Sequence, residues 1–288
     1  MLLVDFSLFF YRMYHGAPYL TTSKCVASGF EFMMLKNLQS LQKKYGHIIL
    51  CLDNAGTSER KKIDDKYKSN RLRPNQEFDL FPRLANIMSA IKSKYHICQR
   101  AGQEADDIIF TLCKNLEGFI NILTNDKDLF QCISFKTVVL TSFKSKITEW
   151  NIEKLFQNFS IRPNHWIFYR SFIGDQSDNL PGIPRIRKKL VAEACRKFID
   201  ISDDIHNETD VLLTINRISD YIIQKGTGKE CESTENFIER EQHIRNFEIM
   251  KLNYNENLDI IEPNGNSLEY ERIIHDFEID SMKVETEF

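Results

Sequence analysis

The chain has 288 residues, 42% of them hydrophobic and 27% charged, with a formal net charge of −3. That length and apolar content bury one large core, or one core plus a smaller domain, and the low count of 11 Gly and 7 Pro argues against disorder. The sequence has no run of about 18 apolar residues, so no membrane span is expected. The seven cysteines fall singly, without a CxxC pair. That pattern fits reduced thiols in the cytoplasm better than zinc ligation or a disulfide framework.

In chain order, LLVDF (2–6) reads as a buried strand. An aspartate at position five and the lack of a basic leader make it a first strand rather than a signal peptide. SGFEFMMLKNLQSLQKK (28–44) has helical periodicity, with Phe30, Met33, Met34, Leu38 and Leu41 on one face. IILCLD (48–53), YHICQ (95–99) and FINILT (119–124) read as further strands, the last two flanking a helix over 104–116. TVVLTS (137–142) and KITEW (146–150) suit a hairpin or edge strands. From about 151 the pattern turns helical, with Pro163 near a helix start. QKGTGKECESTEN (224–236) is expected to be a loop. Alternating strands and helices predict an α/β fold with a mainly parallel sheet flanked by helices.

Charge is divided unevenly. Residues 1–199 carry 30 Lys+Arg against 19 Asp+Glu, a balance of +11, whereas residues 200–288 carry 8 against 22, a balance of −14. A polyanionic partner responds to the local balance rather than to the total.

The informative feature is the position of the acids. Asp5 and Asp53 each close an apolar strand, and Asp126 lies just beyond another. In a parallel sheet these ends share the carboxyl edge, where ligands bind. Glu104, Asp106 and Asp107 open the helix before that last strand, Asp128 follows Asp126 by two, and Asp175 and Asp178 are three apart. Acids at helix starts and in turns are ordinary one by one. Repetition at several strand ends is harder to explain that way. Oxygen donors without His or Cys select Mg²⁺ or Mn²⁺, and converging carboxylates suit two ions about 4 Å apart, as in phosphodiester-cleaving sites.

The ordered motifs LLVDFS, LDNAG, DDKYKSNR, GQEADDIIFTL, LTNDKDLFQ and FIGDQSDNLPGIP resemble those of the flap endonuclease and 5′–3′ exonuclease family. That family includes bacteriophage ribonuclease H enzymes and the 5′-nuclease domain of DNA polymerase I. The resemblance runs from residue 2 to about 190 and continues faintly through RNFEIMKL (245–252). It implies a PIN-like α/β fold with a helical arch and a helix–turn–helix C-terminal region. The expected division is a nuclease core over 1–160 with the arch at about 55–100. A helical DNA-binding region over 161–288 follows, with the helix–turn–helix at about 172–198 and an acidic C-terminal part. The resemblance assigns metal binding to Asp5, Asp53, Glu104, Asp106, Asp107, Asp126, Asp128, Asp175 and Asp178. All nine positions are acidic in this chain.

Residues 58–73 hold seven basic against three acidic side chains. The resemblance puts Lys68 and Arg71 beside the scissile phosphate as catalytic residues, with Lys61, Lys62, Lys66 and Arg73 guiding a single strand. Tyr67 suits either a base stack or the core. After Asp178, NLPGIPRIRKKL resembles the family's duplex-holding loop, which usually carries K⁺. Here Arg185 and Arg187 replace two glycines, which counts against that ion. Arg185, Arg187, Lys188 and Lys189 are expected to contact phosphates directly.

The implied activity is hydrolysis of phosphodiester bonds by a two-ion mechanism with Mg²⁺, for which Mn²⁺ can substitute. The substrates would be branched or 5′-ended DNA or RNA–DNA hybrid, with primer removal in replication among the roles. The alternatives are a PIN-type ribonuclease and a non-catalytic DNA-binding replication factor that retains the fold. A polymerase or single-strand-binding protein is the expected partner of a monomer that resembles phage-encoded members, in the cytoplasm of a bacterial host.

Overall fold

The structure, a computed structural model, describes residues 1–17, 19–53, 59–70, 77–143, 146–200, 208–258 and 260–279. In chain order the first elements are β1 (Leu2–Asp5), α1 (Phe6–His15), α2 (Gly29–Tyr45), β2 (Ile48–Leu52), α3 (Glu59–Ile63), α4 (Glu77–Lys94), β3 (His96–Gln99), α5 (Ala105–Asn115) and β4 (Ile120–Leu123). They continue with β5 (Thr137–Phe143), β6 (Lys146–Trp150), α6 (Ile152–Phe159), α7 (Pro163–Ile173), α8 (Lys188–Phe198), α9 (Glu208–Lys225), α10 (Gly228–Glu239), α11 (Gln242–Met250), β7 (Ile260–Ile261) and α12 (Ser267–Asp276). This is a mixed α/β, PIN-like fold. Among the described residues no helix is long and apolar enough to cross a membrane.

The chain folds into two compact units, Met1–Gly56 with Arg73–Asn125 and Tyr254–Phe288, and Thr57–Leu72 with Asp126–Asn253. They interleave in sequence, whereas the sequence division at 160/161 makes a single cut.

In the first unit the strand order is β4-β1-β2-β3-β7. β1 pairs in parallel with both β2 and β4, β2 pairs in parallel with β3, and β7 closes the edge antiparallel to β3. Strands flanked by helices on both faces need continuous apolar runs. Leu2, Leu3, Val4, Ile49, Leu50, Ile97 and Ile122 supply them, and all are buried. Helix α1 lays Phe6, Phe9, Phe10 and Met13 into the core, and Phe10 meets Phe30 of α2 edge-on at 5.4 Å. Within α2, Glu31 is fully buried and pairs with Arg83 of α4. The strand order reverses between β1 and β4, the usual place for a ligand crevice in such sheets.

The second unit is mostly helical. β5 and β6 pair antiparallel, so of the two forms the sequence allows, hairpin or edge strands, the hairpin is formed. Arg60, from the basic stretch, is buried and donates to the Ile249 carbonyl at 2.7 Å. The loop expected at 224–236 is instead mostly helix α10. Its start is fixed by a capping box, with Glu230 accepting from the Thr227 N–H at 2.8 Å and from the Thr227 hydroxyl at 2.9 Å. Gly and Thr at a helix start resemble a loop in composition, and the glutamate three positions after Thr227 distinguishes the two.

His243 of α11 is buried against the rings of Phe172 and Phe237, at 5.9 and 6.1 Å. Neither ring nitrogen has a hydrogen-bond partner among the described residues. Burial lowers its pKa from the ordinary value of 6.5, against the opposing pull of Glu241. The unfolded chain therefore takes up this proton first as pH falls, and stability is lost from about pH 6.5 down through the lowered value. Thermal melts at about pH 7.5 and about pH 5.5 should show a smaller acid-induced drop in His243→Phe than in wild type.

Candidate active site

Five of the sequence-predicted acids lie at one edge of the first unit's sheet. Asp5 ends β1 and caps α1, with one oxygen accepting the Leu8 N–H at 3.3 Å. Its other oxygen accepts the Thr124 hydroxyl at 2.9 Å, a bond that spans the carboxyl ends of β1 and β4 where the strand order reverses. Asp53 follows β2 and accepts the Ala105 N–H at 2.7 Å, which ties it to the first turn of α5. Glu104 is the residue before that helix, and Asp106 and Asp107 occupy its first turn, where the helix dipole favours negative charge. Asp107 is buried.

The other four acids gather in the second unit. Asp126 caps the 3₁₀ turn Lys127–Cys132 by accepting the Asp128 N–H at 2.8 Å. Asp175 caps the 3₁₀ turn Gln176–Asp178 and accepts the Ser177 N–H at 2.8 Å and its hydroxyl at 2.6 Å. Arg170 of α7 links the two turns. Its Nε donates to Asp128 at 3.2 Å, its Nη2 to Asp175, and its Nη1 to the Gly174 carbonyl at 2.9 Å. Gln131 donates to the carbonyls of Asp128 and Met250, at 3.0 and 2.9 Å.

Electrostatics separate these acids. Burial and then Asp126 push the Asp128 carboxyl up to about 8, with Asp175 and Asp178 adding to the effect and Arg170 opposing it. Burial works the same way on Asp175, but the Ser177 hydroxyl and Arg170 outweigh it and hold that carboxyl below its usual range. Among the described residues no group of three or more His, Cys, Asp or Glu side chains is arranged to hold a metal ion. The carboxylates spend oxygens on backbone N–H groups and on Arg170. The donor chemistry nevertheless suits a hard divalent cation, because every candidate atom is a carboxylate oxygen. The like-charge pressure on Asp128 is the kind a cation relieves.

Lys68 lies in the turn that follows α3. Its backbone φ is +56° and its N–H donates to the Asp178 carbonyl at 3.0 Å. Its ammonium stands 4.7 Å from the Tyr67 ring centre. Tyr67 is buried with Leu180, Ile249 and Met250, so of its two sequence readings the core one holds. Asn179 donates to the Lys66 carbonyl at 3.0 Å, and Asn70 to the Gln176 carbonyl at 2.8 Å. These bonds fasten the turn carrying Lys68 to the loop carrying Asp175 and Asp178. Arg71 and Arg73 lie outside the described residues. Lys61, Lys62 and Lys66 are exposed.

The model of the family described as "5′–3′ exonuclease, N-terminal resolvase-like domain" matches residues 1–160. The chain belongs to the 5′–3′ exonuclease family. The 5′–3′ exonuclease of Buchnera aphidicola subsp. Schizaphis graminum is 33% identical over 214 residues, covering 72% of this chain and 73% of that protein. The thermostable DNA polymerase I of Thermus aquaticus is 33% identical over 205 residues, covering 69% of this chain but only 24% of the polymerase. Among solved structures, the bacteriophage T5 5′-exonuclease with bound divalent metal ions aligns over 99% of this chain and 98% of its own, with TM-score 0.66 and 18% identity. Human GEN1 in complex with Holliday junction DNA aligns over 96% and 67%, with TM-score 0.54 and 14% identity. These structural likenesses concern the fold.

In this exonuclease-family chain the two arginines at usual glycine positions behave differently. Arg185 takes the left-handed conformation, φ +60°, that a glycine would. Arg187 has an ordinary φ of −69° and lays its guanidinium on Glu230 at 2.8 Å. Glu230 also accepts the Arg187 N–H at 3.1 Å, and its carboxyl is held down at about 2, chiefly by Arg187 and then by the Thr227 N–H. Lys188 and Lys189 are exposed at the start of α8. Sequence reasoning missed Arg170, Thr124 and Glu230. A lone arginine inside the apolar stretch HWIFYRSFI was the available signal for Arg170.

Proposed function

We propose that this chain is a divalent-metal-dependent 5′ nuclease that hydrolyses phosphodiester bonds near a branch point or a free 5′ end. The carrying observation is the retention of nine acids in two sets, with oxygen donors only and backbone N–H groups fixing the capping members. The reading is supported by relatives named 5′–3′ exonuclease, by the metal ions in the T5 5′-exonuclease structure and by the DNA in that of GEN1. Asp5, Asp53, Glu104, Asp106 and Asp107 would hold one Mg²⁺ and Asp126, Asp128, Asp175 and Asp178 another, with Mn²⁺ able to substitute. Bound there, such ions supply a water of lowered pKa and offset charge on the leaving 3′ oxygen.

The chain's own residues do the rest. Arg170 orients Asp128 and Asp175 and keeps their turns in register. Lys68, its backbone pinned to Asp178, offers an ammonium to the charge that grows on the transferred phosphoryl group, with Arg71 assisting. Lys61, Lys62, Lys66 and Arg73 guide the single strand, while Arg185, Lys188 and Lys189 serve the duplex. An ion pair to Glu230 now ties the loop where the resemblance implied K⁺, and we assign potassium no part. Replacing Lys68 by methionine should lower kcat by about 10²-fold while KM changes little, as single-turnover rates would check.

A panel of substrates tests the proposal against its rival. Cleavage of a 5′-flapped duplex and a gapped RNA–DNA hybrid near the junction supports it. Preference for unstructured single-stranded RNA would instead support a PIN-type ribonuclease.

A further inference from the structure

The sequence motif RNFEIMKL (245–252) forms most of α11 and its end, and the proposed chemistry gives it no part. The last turn of a helix leaves carbonyls without partners inside the helix. At the end of α11 other segments fill them. Arg60 Nε donates to the Ile249 carbonyl at 2.7 Å, and its Nη2 reaches the Lys251 carbonyl at 3.5 Å. Between them, Gln131 donates to the Met250 carbonyl at 2.9 Å. A guanidinium suits this place, because a helix C-terminus favours positive charge. Arg60 is only 3% exposed, whereas its neighbours Lys61 and Lys62 are exposed. Burying a guanidinium is costly unless its N–H groups find acceptors, and α11 supplies them.

Each of these bonds leads to a candidate site residue within the second unit. From Arg60 the backbone runs through two turn bonds, the Asp64 N–H to the Arg60 carbonyl and the Tyr67 N–H to the Asp64 carbonyl, both at 3.1 Å. Tyr67 packs with Ile249 and Met250, the same residues whose carbonyls are filled, and the Lys68 ammonium stands 4.7 Å from its ring centre. Gln131 also donates to the Asp128 carbonyl at 3.0 Å. Asn246, fully buried on α11, donates to the carbonyls of Ser171 and Pro181 at 2.8 Å each, on either side of the loop that carries Asp175 and Asp178. The Lys68 turn, the Asp128 turn and that loop are all fastened to one helix.

We infer that α11 is the frame that registers Lys68 against the acids of the second unit, and that Arg60 is a positioning residue acting through Lys68. The inference rests on the nuclease reading and adds to it a residue that works through the protein alone. Misplacing a reacting group by about 1 Å can cost about 10²-fold in rate, so a fastening of this kind has a kinetic signature.

Arg60→Met keeps the stem and removes every donor. Single-turnover cleavage of a 5′-flapped duplex in Mg²⁺ should slow by about 10-fold, with half-saturation changed by less than about twofold. In a Lys68→Met background the same substitution should cost less than about twofold, because the group it positions is already gone. Gln131→Met, whose route runs to Asp128, should cost the same factor in both backgrounds. Hydrogen exchange reads the placement without any catalysis. The Lys68 amide, bonded to the Asp178 carbonyl at 3.0 Å, should exchange about 10-fold faster in Arg60→Met. If that variant melts too low to assay, Arg60→Lys, which keeps the charge but not the fork, carries the same cycle with a loss of about threefold. An undiminished rate in the folded variant, an unchanged Lys68 amide, or an equal loss in the Lys68→Met background overturns the inference. So does a Gln131→Met effect that vanishes in that background, since the route would then not be specific to Arg60. Failure of wild type to cleave any flapped or 5′-ended substrate, with the Lys68 amide still loosened by Arg60→Met, would sink the nuclease reading and leave the frame standing.

Discussion

Replacing Asp126 and Asp128 together by asparagine is expected to lower the cleavage rate by about 10³-fold or more, with duplex binding intact. The two residues sit at either end of one capping hydrogen bond, and Arg170 ties Asp128 to Asp175. Asparagine can keep the cap through its carbonyl oxygen but removes the charge a divalent cation needs. The same variant carries a second signature that a simple folding defect would not produce. The Asp128 carboxyl sits at about 8 because of burial and Asp126. The metal-free wild type therefore loses stability as pH rises from the ordinary carboxylate range, near 4, toward 8. Asparagine never takes that charge, so in EDTA the variant's melting temperature should be flatter over this window. Loss of activity with a flattened pH profile supports the assignment, whereas full activity in the variant contradicts it.

Gly182→Ala is expected to cost roughly 3 kcal/mol or more and to lower Tm on the order of 10 °C. A Cβ there would lie 1.9 Å from the Ile173 carbonyl oxygen and 2.9 Å from the Gly174 nitrogen, both backbone atoms that no rotamer change can move aside. Gly174 is the counterpart of this approach, with φ +76° and a hypothetical Cβ 2.4 Å from the Gly182 nitrogen. The strain falls on the loop that carries Asp175 and Asp178, so cleavage should fall even in the folded fraction. Gly228→Ala is the contrast. It opens α10 with nothing within 4 Å of the added carbon, and should be neutral or gain up to about 1 kcal/mol. Equal melting of Gly182→Ala and wild type would show that the loop is not packed in this way.

The placement of the candidate acids was legible because strand-ending aspartates are a local pattern. Asp5 and Asp53 follow apolar runs, and the acids of GQEADD open a helix, so the sheet edge is written in the local sequence. The same acids are also ordinary caps, as the bonds to Leu8, Asp128 and Ser177 show. Capping and metal binding do not compete, because the hydrogen bonds leave further oxygen lone pairs available. Less legible were residues whose work depends on distant partners. Arg170 lies 42 positions from Asp128, and Arg187 lies 43 positions from Glu230. Asn246 reaches carbonyls 75 and 65 positions away. No periodicity encodes such pairs. Arg60 lies in the basic stretch 58–73, and only the fold shows its buried bond to the Ile249 carbonyl. The positive φ of Arg185 was equally hidden, since arginine does not advertise a left-handed conformation as glycine does.

The most direct test of the central claim is cleavage of a 5′-flapped duplex by the wild-type chain in millimolar Mg²⁺ and in EDTA. The account predicts cutting close to the flap junction with Mg²⁺, none with EDTA, and a 5′-phosphate on the downstream product. Tight binding of the flap without cutting, in Mg²⁺ and in Mn²⁺ alike, would contradict it and leave a DNA-binding protein that keeps the acids for another reason.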